Sequence, residues 1–128
     1  MHWRIDGDPK PKGSMRSVGN RMVNDNPDCD KWIQDIRIQL VGRRMYEGPI
    51  KVELRFYLPR GKTVRRQQPH VKPDLDKLVR AVLDAMTGYC YKDDGQVVII
   101  EAMKEYADFG HPGVEIRLTP MSCPEKIR

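Results

Sequence analysis

Cysteine is scarce in this sequence: there are three, Cys29, Cys90 and Cys123, an odd number with no two close together. Disulfide scaffolds and zinc knuckles both need paired cysteines at short spacings, so neither is expected. Three reduced thiols in a reducing compartment are the simpler reading. Long apolar runs are missing too, and none approaches the ~20 residues that a membrane span needs. The opening stretch, Met1-His2-Trp3-Arg4-Ile5-Asp6-Gly7, lacks the apolar centre of a signal peptide. A cytoplasmic protein without a membrane partner is expected. No internal repeat and no long linker interrupts the 128 residues, a length that suits one domain.

What is present is uneven charge. Lys and Arg exceed Asp and Glu by 23 to 18. From Pro59 to Lys72 the chain reads PRGKTVRRQQPHVK, with Arg60, Lys62, Arg65, Arg66 and Lys72 and no acid. A second basic stretch, Lys10 to Arg16, contains Lys12 and is followed by Arg21. Such stretches point to a polyanionic partner, with Lys12, Arg16, Arg60, Lys62, Arg65, Arg66 and Lys72, together with Lys77 just beyond them, as candidate residues for binding it.

Hydrophobic periodicity lays out the elements. Residues 2–6 read as a short strand, and 7–25, rich in Gly, Pro, Lys and Ser, as a loop. Asn26-Pro27 resembles a helix start, and Trp32, Ile33, Ile36, Leu40 and Val41 recur at helical spacing, so 27–41 is expected to be a helix ending near Gly42. Residues 50–58 alternate as a half-buried strand. Leu75, Leu78, Val79, Val82, Leu83 and Met86 form one apolar stripe, giving a second helix that stops near Gly88. A turn at Asp93-Asp94-Gly95 precedes a strand from Val97, extending towards Tyr106. Another turn, 108–113, leads to a last strand, 114–118. The two final strands are expected to pair antiparallel. The order β-α-β-α-β-β implies an α+β fold: one small domain, a mixed sheet with two helices on it. The domain is expected over 1–119, with 120–128 a loose tail.

The chemistry concentrates at Lys72-Pro73-Asp74-Leu75-Asp76. Leu75 faces the core, so Asp74 and Asp76 are displayed together at the mouth of the second helix. Asp74 has an alternative role as an N-cap, and Asp76 as a partner of the helix dipole. A cap needs only one acid, however, and a second acidic pair, Asp93-Asp94, follows the same helix. If the chain after Gly88 doubles back, Asp94 approaches Asp74 and Asp76 across the sheet edge. Three carboxylates without cysteine or a histidine pair form a hard, oxygen-rich site suited to Mg²⁺ or Mn²⁺ rather than zinc. Such an ion polarises a phosphodiester and lowers the pKa of an attacking water. The basic loop beside it would hold flanking phosphates, which bare carboxylates would repel.

The run HVKPDLDKLVRAVLDAMTG over 70–88, then Tyr91-Lys92-Asp93-Asp94-Gly95-Gln96-Val97 and later Lys104, resembles RusA-type Holliday-junction resolvases. These enzymes are often carried by phages and prophages. The resemblance implies a homodimer that binds branched DNA, the four-way junction, and makes paired symmetric nicks with Mg²⁺ or Mn²⁺. It places the metal-binding catalytic acids on Asp74, Asp76 and Asp94. It implies no small-molecule substrate, and a cytoplasm that is bacterial or of a phage-infected host.

Two positions depart from the family pattern. Lys77 stands where an Asn is usual, and Arg80 where a functional lysine is usual. Arg80 keeps the charge and can grip a phosphate, but it cannot relay a proton. An ion pair from Arg80 to Asp76 or Asp84 is equally in keeping with the sequence. A non-catalytic junction-binding module is therefore an alternative function. A D-x-D glycosyltransferase would need a larger nucleotide-binding domain than 128 residues provide. His70 reads as a loop histidine, and Trp3 and Trp32 as core residues. Lys104 either faces the site or is a solvated strand lysine.

Overall fold

The computed structural model describes residues 1–13, 15–18, 21–24 and 27–121. Its elements are β1 (His2–Asp6), β2 (Met15–Val18), β3 (Arg21–Asn24), α1 (Pro27–Leu40), β4 (Ile50–Leu58), α2 (Leu75–Met86), β5 (Val97–Tyr106) and β6 (Gly113–Pro120). A 3₁₀ turn, Asp94–Gln96, leads into β5.

Alternation decides which face of the sheet is core. Ile50, Val52, Leu54, Phe56 and Leu58 of β4 are buried, and the residues between them are not. Trp3 and Ile5 of β1, and Val114, Ile116 and Leu118 of β6, share that face through the registers Trp3↔Ile116, Ile5↔Val114 and Leu54↔Ile116. The other face carries charges such as Glu53, Arg55, Glu115 and Arg117, as one-sided sheets do. From α1 come Cys29, Trp32, Ile33, Ile36 and Leu40. From α2 come Leu78, Ala81, Val82, Ala85 and Met86, with Leu75, Val79 and Leu83 packed at the margin. The two tryptophans are core residues, as expected.

The helices are also fastened end to side. No basic residue lies in the last turn of α2. Arg37 of α1 supplies one, donating to the carbonyls of Ala85 at 3.2 Å and Asp84 at 2.9 Å. A cation at the carbonyl end of a helix meets unpaired acceptors and the negative end of the dipole.

Three expectations need correction. The stretch 7–25 is not all loop, because β2 and β3 pair antiparallel as a separate two-stranded sheet. At four residues each, they are too short for alternation to stand out in a Gly- and Lys-rich segment. Val41 lies past the end of α1 and is 69% exposed, so it is no part of the apolar stripe. The final two strands do not pair with each other: the sheet order is β1-β6-β4-β5, with β6 antiparallel and β5 parallel to β4. Helix α2 is the crossover that a parallel pair requires. The sheet is mixed and bears two helices, as the sequence implied. Pro120 ends β6, and the Met121 N–H donates to the Pro49 carbonyl. The remainder of the expected tail, 122–128, lies outside the described residues, as does Asn26.

Candidate active site

Asp74 occupies the N-cap position of α2 with an extended backbone, φ −68° and ψ 137°, yet its side chain makes no capping hydrogen bond. Its neighbour in space is Lys77, whose Nζ lies 3.9 Å from Oδ2. Asp76, in the first turn, is exposed. The backbone ahead of both acids is anchored from the sheet: Lys104 Nζ donates to the carbonyls of Val71 and Pro73, each at 2.7 Å. Lys104 thus faces the segment holding the acids.

Asp94 begins the 3₁₀ turn, beside the far end of α2. The connection there is locked by Gln96. Its Oε1 accepts from the N–H of Lys92 at 3.0 Å and of Asp93 at 3.2 Å. Its Nε2 donates to the carbonyls of Tyr46 at 3.1 Å and Gly48 at 3.0 Å. Asp94 lines a cleft of about 440 Å³ with Lys12, Arg37, Asp84 and Thr87. Beneath it Tyr91 is fully buried and donates to the Leu83 carbonyl at 2.8 Å. Burial first, and then the charges of Asp94 and Asp84, push its phenol pKa upward, so it stays protonated. Burial likewise pushes the Cys90 thiol up to about 11. Cys29 is buried as well, so neither thiol is a ready nucleophile. Cys123 lies outside the described residues.

The acids therefore do not converge within the chain. Helix α2 runs twelve residues, roughly 18 Å at ~1.5 Å per residue. Asp74 and Asp76 lie at its start, and Asp94 shares a cleft with Asp84 and Thr87 at its end. Along β5, seven residue steps from Val97 to Lys104 cover about 23 Å. Among the described residues, no group of three or more His, Cys, Asp or Glu side chains is placed to hold a metal ion. The expected return of Asp94 across the sheet edge fails because β5 runs parallel to β4. The chain must re-enter at the Ile50 end of the sheet.

The basic residues divide into two kinds. Arg60 is committed to structure: it pairs with Asp108 at 2.7 and 3.0 Å, donates to the carbonyls of Val64 and Arg66, and lies 4.1 Å over the Tyr106 ring. That pairing holds the Asp108 carboxyl below its usual range. Arg66 donates to the Tyr106 hydroxyl at 2.7 Å. Lys12 pairs with Asp84 at 3.0 Å, and its N–H donates to the Lys77 carbonyl. Lys62, Arg65, Lys72 and Arg80 are exposed, and none forms an ion pair among the described residues. The ion pair open to Arg80 in the sequence is not made. The side chain of Arg16, on β2, lies outside the described residues. His70 bonds the Gln68 carbonyl at 3.0 Å, as a loop histidine would. A cleft of about 430 Å³, lined by Lys10, Arg66, Lys72, Pro73 and Tyr106 among others, opens beside the start of α2.

Sequence reasoning missed Gln96 and Arg37 as organisers. Gln96 was visible only as part of a motif, and nothing local distinguishes Arg37 from any other helix-surface arginine.

Residues 6–119 match the family described as endodeoxyribonuclease RusA. The chain belongs to the RusA endodeoxyribonuclease family. A curated relative, the "Uncharacterized protein YqaN" of Bacillus subtilis (strain 168), is 29% identical over 143 residues, covering 96% of this chain and 98% of that protein. The RusA match takes in β2 to β5, all but the last residue of β6, and both acidic clusters. Among the described residues no helix is long and apolar enough to cross a membrane.

Proposed function

We propose that this RusA-family chain is a homodimeric, Mg²⁺- or Mn²⁺-dependent endonuclease that resolves four-way DNA junctions by paired symmetric hydrolysis. The observation that carries the reading is Asp74: it sits at a cap position without capping, beside exposed Asp76, at the edge of an acid-free basic loop. Asp74, Asp76 and Asp94 are all hard oxygen donors, which suits magnesium or manganese. When bound, such an ion would activate water and stabilise charge on the scissile phosphate.

The chain's own residues supply the rest. Lys62, Arg65 and Lys72 bind phosphates flanking the cut, and Lys77 tempers the charge of Asp74. Arg60, Arg66 and Lys12 shape the surface, and their role towards DNA is to hold that shape. Arg80 grips a phosphate oxygen; its guanidinium stays charged and takes no part in proton transfer. The third acid comes from the second copy of the chain, since α2 holds Asp94 a helix length away from Asp74 and Asp76. A two-fold enzyme with two such sites suits a two-fold junction.

The test uses a synthetic four-way junction and a linear duplex of the same sequence, each with Mg²⁺ or with EDTA. Paired nicks on the junction alone, dependent on metal, are expected. Retention of the junction without cutting would identify a binding module instead.

A further inference from the structure

The turn that joins β5 to β6, residues 107–112, is pinned along its length. The Ala107 N–H donates to the Leu58 carbonyl at 2.8 Å, and the Gly7 N–H donates to the Pro112 carbonyl at 3.0 Å. Asp108 accepts from Arg60 through both carboxylate oxygens. Arg4 donates to the His111 carbonyl. A turn held in this way nevertheless presents its large apolar side chain to water. Phe109 is 105% exposed, against 71% for Ile38, the next large apolar residue in order of exposure. Scattered apolar side chains are ordinary on a surface. Most keep part of themselves against a neighbour, whereas no part of this ring is covered.

Beside Phe109 opens a cleft of about 240 Å³. Tyr57, Tyr106 and His111, three more ring-bearing residues, line it together with Arg4. Clefts that hold drug-sized molecules run to ~300–1,000 Å³, so this one suits a single flat ring system. Arg4 already covers the Tyr57 ring at 4.6 Å, and Arg60 covers the Tyr106 ring at 4.1 Å. The Phe109 ring has both faces open. Two carboxylates, Glu105 and Asp108, also line the cleft. They admit the edge of a base but repel a phosphate.

The surroundings supply the charge that the cleft lacks. Arg60 donates to the Val64 and Arg66 carbonyls as well as to Asp108, so one guanidinium joins the turn to the basic 59–73 loop. Five residue steps separate Phe109 from Lys104, at most ~18 Å of chain, and Lys104 grips the carbonyl next to Asp74. The cleft therefore lies within one turn of duplex, ~34 Å, of Asp74 and Asp76. An aromatic face beside a cationic groove is how single strands are held, the bases stacking while the phosphates track the charge.

We infer that this cleft takes one unstacked nucleobase of the DNA, lying on the Phe109 ring, while the cations of the 59–73 loop hold the phosphates of its strand. Unstacking a base costs least where it is already unpaired, so the occupant comes from a branch point or a single strand and not from within a duplex. The inference rests on the DNA-binding part of the proposed function and is independent of its metal site.

The experiment titrates the full chain, Phe109→Ala, Phe109→Trp and Ile38→Ala, in EDTA, with a four-way junction, an oligothymidine strand and a blunt linear duplex. Phe109→Ala should weaken binding of the junction and the single strand about 5–100-fold, the range for one stacked base, and leave the duplex unchanged. Phe109→Trp should restore binding, and its added emission should be quenched by the single strand, while buried Trp3 and Trp32 stay silent. Ile38→Ala, on the surface of α1, should match the wild type. An abasic residue at the docked position of the junction should cost the wild type as much as Phe109→Ala does, and cost that variant nothing further. Equal affinity of wild type and Phe109→Ala for junction and single strand overturns the inference. So does an equal loss on blunt duplex, or a loss additive with every abasic position, because the ring would then meet sugar or phosphate. A wild type that binds none of the three DNAs removes this inference and the proposed function together. Cutting of junctions with no dependence of binding on Phe109 removes this inference alone. Binding that depends on Phe109, without cutting in Mg²⁺, upholds the cleft and removes the nuclease.

Discussion

Lys104 Nζ donates to the carbonyl oxygen of Pro73 at 2.7 Å, tying the eighth residue of β5 to the residue immediately before Asp74. The same ammonium holds the Val71 carbonyl, so two acceptors of a loop depend on one side chain. Replacing Lys104 with methionine should cost roughly 1–2 kcal/mol of stability, the range for hydrogen bonds to a charged donor that is partly exposed. Its effect on junction cleavage should be larger, about 10–100-fold, because small displacements of catalytic groups are expensive. Chemical denaturation and single-turnover cleavage separate the two. Equal small losses in both would reduce Lys104 to a structural lysine.

Helix α2 sets up a complementation test. Asp76→Asn and Asp94→Asn homodimers should each bind junctions and cut neither strand. Mixed and re-equilibrated, they form heterodimers in which one site carries both lesions and the other carries none. Those heterodimers should nick one strand of the junction at about half the wild-type rate per dimer. If each protomer held a complete site, every mixed site would be defective, so an inactive mixture would refute the shared arrangement.

Gln96 offers a different measurement. Its amide bridges two N–H groups and two carbonyls around the Asp94 turn. Gln96→Ala should lower stability by about 1–3 kcal/mol, since four partly exposed bonds are lost. Gln96→Glu should do no better, as a carboxylate keeps the acceptor contacts but repels the Tyr46 and Gly48 carbonyls. Thermal unfolding of the three proteins checks the order; a glutamate variant as stable as wild type would argue against the bridge.

A pH effect is expected away from the site. Tyr57 donates to Glu115 at 2.5 Å on the open face of the sheet. That hydrogen bond is the main reason the Glu115 carboxyl titrates below its ordinary range, with His2 assisting against partial burial. A depressed carboxyl stabilises the fold above its unfolded pKa, and the contribution disappears as pH falls through the folded value. Tyr57→Phe should therefore be less stable than wild type at neutral pH, and the gap should narrow in acid. Tyr57 itself, raised first by burial and then by Glu115, should ionise only above the usual tyrosine range. Urea midpoints taken from neutral pH downward would show the convergence; a constant gap would mean that the ring's packing, not the hydrogen bond, matters.

The helices and the long strands were legible because each buries one face, and periodicity records that directly. The stripe from Leu75 to Met86 maps onto buried and half-buried residues almost throughout. The acid pair at Asp74 and Asp76 was legible for the same reason, since Leu75 fixes which way its neighbours point. What could not be read was order across the sheet. Val97–Tyr106 pairs with β4 and not with β6, and no local feature of either strand states its neighbour. The error about Asp94 follows from that one: its distance from Asp74 is set by strand direction. Nor could the basic run reveal that Arg60 would be held by Asp108, 48 residues on.

The reach of α2 has a consequence for dose. If the proposed site draws two acids from one tip of α2 in one copy and the third from a second copy, an isolated chain would carry no complete set, and hydrolysis would require association. Below the dissociation constant, cutting should then rise with the square of protein concentration, so a few stray molecules leave duplex and branched DNA alike untouched. On that proposal the twelve-residue helix would act as a safety catch that copy number releases.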